Sequence, residues 1–307
     1  MTSAQPSVSI IMPVLNEERH LREAVEALLQ QDYAGRLDIV IAVGPSHDRT
    51  REVADTLASE HPAVHVVDNP TGKTPSGLNA AIAWGDSDIV VRIDGHAMVP
   101  HDYVRMAVET LQQTGADNVG GIMAAEGTND FECAVARAMT SKFGVGGASF
   151  HVGGEAGPAL TVYLGSFRRS ALERVGGYDV SMERAQDWEM NLRIRESGGV
   201  VWFTPAMRVT YRPRRTIKAL ARQYHDRWRR EVVRRHPQTL SVRYLAAPVA
   251  VAGVAAGAVL MGVGVVVREP WLIALGAAAP VGYAVLNLGA SVQAASGAPR
   301  ASAREAM

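Results

Sequence analysis

Residues 244–267, YLAAPVAVAGVAAGAVLMGVGVVV, run for 24 positions without a charge and almost without a polar group. No other stretch restricts the fold as strongly. A helix of that length reaches across the hydrocarbon core of a bilayer, and helix is the conformation in which one segment satisfies its own backbone hydrogen bonds there. A second charge-free run follows the polar break Arg268-Glu269-Pro270 and extends from Trp271 to about Ala295, with Asn287, Ser291 and Gln293 making its far end less apolar. Two spans joined by so short a turn predict a transmembrane hairpin over 244–295, with 296–307 as a short cytosolic tail.

Lys plus Arg and Asp plus Glu both number 31, so the net charge is zero, but the distribution is uneven. Between Arg208 and Arg243 stand twelve Lys or Arg against two acids, Asp226 and Glu231, which leaves 19 bases and 29 acids elsewhere. A basic stretch directly before a span follows the positive-inside rule and is drawn to anionic lipid. Residues 213–243 are therefore expected as a basic amphipathic juxtamembrane helix. Residues 1–212 are expected as a cytosolic domain of a multi-pass protein of the cytoplasmic (inner) membrane. Nucleic-acid binding is not expected, because the basic excess is confined to one juxtamembrane stretch. No basic n-region with an apolar h-region opens the chain, so no cleaved signal peptide is expected. The lone Cys133 cannot form an internal disulfide and reads as a core residue in a reducing compartment.

The remaining chain is long enough for one large α/β domain. SVSIIMPV (7–14) reads as a buried strand. EERHLREAVEALLQQ follows it with Leu21, Val25, Leu28 and Leu29 at helical spacing. Next come LDIVIAV (37–43), a helix over roughly 48–60, AVHVV (63–67), a helix near 76–85 and the strand DIVVRI from Asp88. Apolar strands alternating with amphipathic helices predict a parallel, doubly wound sheet, whose ligands bind outside the carboxyl ends of the strands. PVLNEE, GPSHDRT and Asp94-Gly95-His96 all follow strands and are expected to line one crevice. Further on, a helix near 100–114, a strand near 117–124 and the helix NDFECAVARAM precede GVGGASFHVGGEAGP (144–158). That glycine-rich stretch lacks the strand-then-helix context of a dinucleotide loop and reads as a mobile loop over the active site.

Asp94 and His96, one residue apart at a strand end, can both reach a divalent cation, and Gly95 leaves room for a diphosphate to approach the backbone. Taken alone, the pair reads equally well as a turn aspartate beside a surface histidine.

Larger segments carry a family pattern. SIIMPVLNEERHLREAVEALLQQ, NPTGKTPSGLNAAIAWGDSDIVVRIDGHA, VYLGSFRRSALERVGGYD and AQDWEMNLRIRESGG, in this order over most of 7–212, resemble a family 2 inverting glycosyltransferase. The resemblance implies the GT-A fold, a Rossmann-like nucleotide-diphospho-sugar transferase domain. Asp94 stands at the Asp-x-Asp-like position, and QDWE stands in the place of the family's Glu-Asp motif. The DGHA element and the C-terminal hairpin are most similar to bacterial exopolysaccharide enzymes of the succinoglycan-biosynthesis type, which extend lipid-linked sugars.

Roles follow residue by residue from the resemblance. Pro13, Leu15 and Glu17 sit at the nucleotide base, Asp94 and His96 at the metal (Mg or Mn) and diphosphate, and Asp187 is the catalytic base. The chemistry agrees, since a leaving nucleoside diphosphate needs its charge stabilised and an acceptor hydroxyl needs a carboxylate to take its proton. QDWE reads otherwise as a helix N-terminus, where acids are favoured by the dipole; Glu189 reads as a supporting or solvent-facing acid. Lys73 is a candidate phosphate ligand or a plain turn lysine, and Asn79 is expected to fix its loop. His151 and Glu155 are candidate contacts to acceptor or metal, or ordinary loop residues. Gln223, Arg227 and Trp228 in RQYHDRW are similar to the Gln-x-x-Arg-Trp element of processive synthases but one residue longer. Arg227 and Trp228 either close over diphosphate or acceptor or belong to an interfacial helix with Trp228 as anchor. Where the family usually has Asp-Asp-Gly-Ser, this chain has Val43-Gly44-Pro45-Ser46, so the acid that commonly reads the base is missing.

The expected function is transfer of a sugar from a nucleotide-sugar donor, UDP-linked, to a polyprenyl-linked acceptor at the membrane in cell-surface or exopolysaccharide synthesis. Two alternatives stay open: a polyprenyl-phosphate monosaccharide synthase, and a non-catalytic nucleotide-sugar-binding membrane scaffold.

Overall fold

The computed structural model describes residues 5–145, 147–225, 234–237 and 245–296. The chain divides into two units, 1–225 and 226–307.

The first unit is built on β1 (Val8–Val14), flanked by β2 (Leu37–Val43) and β4 (Ile89–Arg92), with β3 (Val64–Asp68) outside β2; all four run parallel. Alternate residues of β1 serve opposite faces of the sheet. Val8, Ile10, Met12 and Val14 join one buried cluster, and Ile11 joins another. Helix α1 (Leu21–Leu29) presents Leu21, Ala24, Val25 and Leu28 to the first cluster, and α2 (Thr50–Glu60) adds Ala54 and Leu57. Helix α3 (Thr74–Trp84) covers the second face through Leu78 and Ala81. Helices on both faces explain why these strands are mostly apolar.

Beyond β4 the sheet departs from the all-parallel expectation. Helix α4 (Tyr103–Thr114) leads to β5 (Asn118–Ala125), but β4 and β5 are separated by β7 (Tyr163–Arg168), which runs antiparallel to both. Strand β8 (Val201–Tyr211) pairs parallel with β5, and the two-residue β6 (Gly157–Pro158) pairs antiparallel with β8, giving the order β3-β2-β1-β4-β7-β5-β8-β6. After β5 the chain forms α5 (Asp130–Met139), α6 (Lys142–Val145) and α7 (Ser149–Val152). Val135, Met139 and Phe150 from α5 and α7 pack with Met123, Ala125 and Tyr211 at the carboxyl ends of β5 and β8. The chain next pairs as β6 with Trp202 and Phe203 at the outer edge of β8, and then enters β7 opposite Gly121, running antiparallel to β5. The glycine-rich stretch, expected as a mobile loop over the active site, holds the end of α6, the single-turn helix α7 and the short strand β6.

Helices α8 (Arg169–Val175), α9 (Gln186–Glu196) and α10 (Ile217–His225) complete this unit. Cys133 is half-buried, its thiol 3.5 Å from the Gly127 carbonyl oxygen.

In the second unit, helices Ala246–Val267 and Pro270–Ser296 are both long and apolar enough to cross a membrane. They pack as an antiparallel pair through glycine. A Cβ on Gly276 would lie 2.4 Å from the Met261 nitrogen, and one on Gly257 would lie 2.5 Å from the Gly276 carbonyl oxygen. Backbones approach this closely only where side chains are absent. Arg268, left-handed at φ 59°, ends the first helix, the Glu269 N–H bonds Gly264 at 2.9 Å, and Pro270 starts the second. Valines and leucines such as Val251, Val266, Leu286 and Leu288 remain exposed on the pair. The basic helix expected over 213–243 is described only for α10 and a short piece at 234–237; Arg227 and Trp228 lie outside the described residues.

Candidate active site

The strand order reverses direction at β1, with β2 and β3 on one side and β4 on the other. Loops after β1 and β4 diverge at such a switch point and open a crevice at the carboxyl edge. Pro13 lies two residues past the last β1–β4 pair, Ile11 with Arg92, where β1 has a neighbour on one side only. There its missing N–H costs the ladder little.

Three loops meet at this edge, as the strand pattern predicts. Asn16, in the left-handed region at φ 57°, donates its backbone N–H to Ser46 Oγ (3.1 Å) and accepts from the His47 N–H (2.8 Å). The Glu17 N–H reaches Thr50 Oγ1 at 2.7 Å, so the loop after β1 is latched to the loop after β2. On the other side, Glu17 Oε1 lies 2.8 Å from His96 Nδ1. Gly95 permits this contact, because a Cβ there would sit 2.7 Å from Val14 Cγ1 and 3.4 Å from Glu17 Cγ. Leu15 is 43% exposed at the loop tip.

Asp187 comes from another part of the chain. It is the second residue of α9, which is anchored to the sheet by buried amides: Asn118 Nδ2 donates to Asn191 Oδ1 (2.6 Å), and Asn191 Nδ2 donates to Thr161 Oγ1 (2.9 Å). Ala185, just before the helix, is held in the left-handed region at φ 57°, a strained setting for a residue with a Cβ. Asn79 brackets the preceding turn, donating to the Tyr178 carbonyl (2.7 Å) and accepting from its N–H (2.8 Å), as expected of a loop-fixing residue. Glu189 is buried and paired with Arg193 at 2.6 Å. It is therefore the supporting acid of QDWE.

Between the two halves lies Arg92, the last residue of β4, whose side chain is 4% exposed. Its Nε and Nη2 bond Asp94 Oδ1 at 3.1 and 3.0 Å, and its Nη1 bonds Asp187 Oδ1. Burial works against the guanidinium charge, but the carboxylates of Asp187 and Asp94 outweigh it and hold Arg92 protonated. Burial raises the Asp187 carboxyl above its ordinary range; Arg92 opposes the rise and Asp94 adds to it. Asp187 and Asp94 keep 24% and 26% of their side-chain surfaces open, so both have access to solvent. The hydrogen bond that His96 donates to Glu17 raises its pKa against the effect of burial, and the charges of Glu17 and Asp94 add to the rise.

Other candidates fall elsewhere. Lys73 Nζ is 2.6 Å from Glu183 Oε1, an ion pair linking the start of α3 to the segment before α9. His151, in α7, packs against Phe150 with centroids 4.3 Å apart and the rings tilted by 39°, and its buried Nδ1 has no hydrogen-bond partner among the described residues. Burial lowers its pKa to about 4. Glu155 is exposed. Among the described residues, no hydrogen bond or ion pair joins His151 or Glu155 to Asp94, His96 or Asp187.

Among the described residues no three His, Cys, Asp or Glu side chains gather as a closed metal site. The donor set nevertheless fits a cation shared with substrate. Both Arg92 bonds to Asp94 fall on Oδ1 and Glu17 takes His96 Nδ1, so Asp94 Oδ2 and His96 Nε2 carry no hydrogen bond among the described residues. One carboxylate plus substrate phosphates and water is the usual coordination of Mg2+.

Arg92 is absent from the sequence-based candidates although its signal is visible. IVVRI carries one charge, Arg92, inside a buried-strand run, and a buried charge requires partners.

A glycosyl transferase family 2 model matches residues 9–176. The succinoglycan biosynthesis protein ExoA of Rhizobium meliloti is 35% identical over 280 residues, covering 90% of this chain and 84% of that protein. The dolichyl N-acetyl-alpha-D-glucosaminyl phosphate 3-beta-D-2,3-diacetamido-2,3-dideoxy-beta-D-glucuronosyltransferase of Methanococcus voltae is 26% identical over 225 residues, 70% of each chain. Among solved structures, the mannosyltransferase PcManGT from Pyrobaculum calidifontis, in complex with GDP-Man and Mn2+, matches with a TM-score of 0.61 at 20% identity, covering 95% of this chain and 81% of that one. S. aureus TarS in complex with UDP-GlcNAc matches with a TM-score of 0.54 at 15% identity, covering 69% and 61%. These structural likenesses speak to the GT-A fold alone. With the family match over more than half its length and the 35% identity to ExoA, the chain belongs to glycosyl transferase family 2.

Proposed function

We propose that this protein is an inverting, metal-dependent glycosyltransferase that moves a sugar from a nucleotide-sugar donor to a hydroxyl of a polyprenyl-linked acceptor at the membrane. The observation that carries the reading is the pairing of Asp94 and Asp187 with one buried Arg92, which brings a candidate cation ligand and a candidate base to one partly open site.

The roles follow from chemistry. Asp94 and His96 would hold a divalent cation, which when bound neutralises charge developing on the leaving diphosphate. Pro13, Leu15 and Glu17 would line the side of the crevice that takes the nucleotide base. The acceptor oxygen attacks the anomeric carbon as the bond from that carbon to the diphosphate oxygen breaks with its electron pair. The hydroxyl proton passes to the Asp187 carboxylate. A carboxyl whose pKa is raised is a stronger base, and it acts while it remains ionised.

Residues 1–225 form the catalytic unit, and the apolar helix pair anchors it as a membrane hairpin. The cations before the first span, among them the exposed Arg212, Arg214 and Arg215, favour a cytosolic orientation. Polysaccharide synthesis on a lipid carrier is supported by the ExoA relative and by the lipid-linked substrate in the name of the Methanococcus voltae enzyme.

Asp187→Asn in the full chain tests the reading, with nucleotide release measured against a panel of UDP- and GDP-sugars and membrane lipid extract as acceptor. A loss of about 10²- to 10⁴-fold in kcat with retained nucleotide binding is expected of a missing general base. Near-normal turnover instead points to an already ionised phosphate acceptor and removes Asp187 from the chemistry. Metal-independent nucleotide binding with no transfer by the wild type leaves a binding scaffold.

A further inference from the structure

Arg92 does something that an arginine present only for stability does not need to do. Its fork is not spent bidentately on one carboxylate. It is split between two that arrive from separate elements, Asp94 just past β4 and Asp187 in the first turn of α9. In both acids the bonded atom is Oδ1, and among the described residues no hydrogen bond reaches Oδ2 of either.

We propose that Arg92 is a positioning residue for the transfer: it fixes the Asp94 and Asp187 carboxylates through Oδ1 and leaves each Oδ2 as a working oxygen, one toward the donor's cation and one toward the acceptor hydroxyl. The proposal rests on the reading of Asp94 and Asp187 given above. A rigid planar guanidinium sets a constant spacing and orientation between the two carboxylates, which a lysine ammonium on its flexible stem cannot do. It also stands between two negative groups that repel in a poorly solvated site. Donor side and acceptor side are thus held in register by one side chain, which moves with neither loop because it belongs to a central strand buried on both faces.

Arg92→Lys in the full chain tests this, with three readouts: thermal melting, binding of UDP and GDP with Mn2+ by calorimetry, and kcat and KM on the donor identified by the panel. Misplacing reacting groups by about 1 Å costs on the order of 10²-fold in rate. The expected result is a folded protein, nucleotide binding within about threefold of wild type, and kcat lower by about a hundredfold. Combining Arg92→Lys with Asp187→Asn should cost less than the product of the two single losses, because Arg92 acts in part through Asp187 and in part through Asp94. The proposal is overturned if Asp187→Asn is inactive while Arg92→Lys keeps wild-type kcat, or if the Arg92→Lys loss lies wholly in nucleotide binding. Should Arg92→Lys not fold, Arg92→Gln is measured in the same way with the same outcomes. Failure of both to fold makes the residue structural and also overturns the proposal. A wild-type kcat in Asp187→Asn is a separate result, which rejects the base assignment itself.

Discussion

Asp187, at the start of α9, is hydrogen-bonded to Arg92, the last residue of β4, across 95 positions of sequence. The same guanidinium holds Asp94. Helix α9 thereby delivers a carboxylate to the switch-point crevice where the loops after β1 and β4 already meet.

The raised pKa of Asp187 has a direction that kinetics can read. A base works only when deprotonated, so kcat should fall as pH drops through a value above the usual carboxylate pKa of about 4. The acid limb of the kcat profile should lie above that value and vanish in Asp187→Asn. A wild-type limb at or below about 4 contradicts the burial argument.

Glu17 holds the proton on His96. If His96 is the cation ligand proposed above, proton and cation compete for this ring, because a metal takes the neutral imidazole. Removing the Glu17 charge lowers the His96 pKa, and Mn2+ activation of Glu17→Gln should persist to lower pH than in wild type. Titrating Mn2+ against turnover at several pH values measures the difference. An unchanged pH dependence separates Glu17 from the metal.

Gly95 is confined by Val14 and Glu17. Gly95→Ala forces a methyl group into Val14 Cγ1, an overpacking expected to cost about 1–3 kcal/mol. It should also raise donor KM by displacing Glu17 and His96. Thermal melting and donor titration together check this; a melting temperature equal to wild type shows that the loop yields freely.

Burial holds the His151 imidazole neutral, with its pKa down to about 4. A base with a depressed folded pKa binds its proton first in the unfolded chain, so its contribution to stability is lost as pH falls from about 6.5 toward 4. Wild type should therefore lose more stability than His151→Leu between about pH 7 and pH 5, measured by denaturation in detergent. Equal losses place the ring in contact with water.

Much of the architecture is legible in one dimension. In β1 to β4 most strand residues are apolar, and the helices between them repeat at helical spacing, so both period and burial are written locally. The loops that follow these strands fall at the carboxyl edge by topology alone, and Asp94, His96 and Glu17 were found that way. Asp187 needed the family's motif order, because QDWE by itself also describes an ordinary helix start. The direction of β7 was not legible: YLGSFR does not record which edge the chain occupies when the strand begins.

The sequence by itself determined the elements, the apolar hairpin and the edge of the sheet where chemistry is expected, because backbone hydrogen bonding and burial act over a few residues at a time. The tertiary structure alone decided that Lys73 meets Glu183, that His96 meets Glu17, and that Arg92 joins Asp94 to Asp187. A charge taken out of water must find its partners wherever packing brings them, and distance along the chain does not enter that energy.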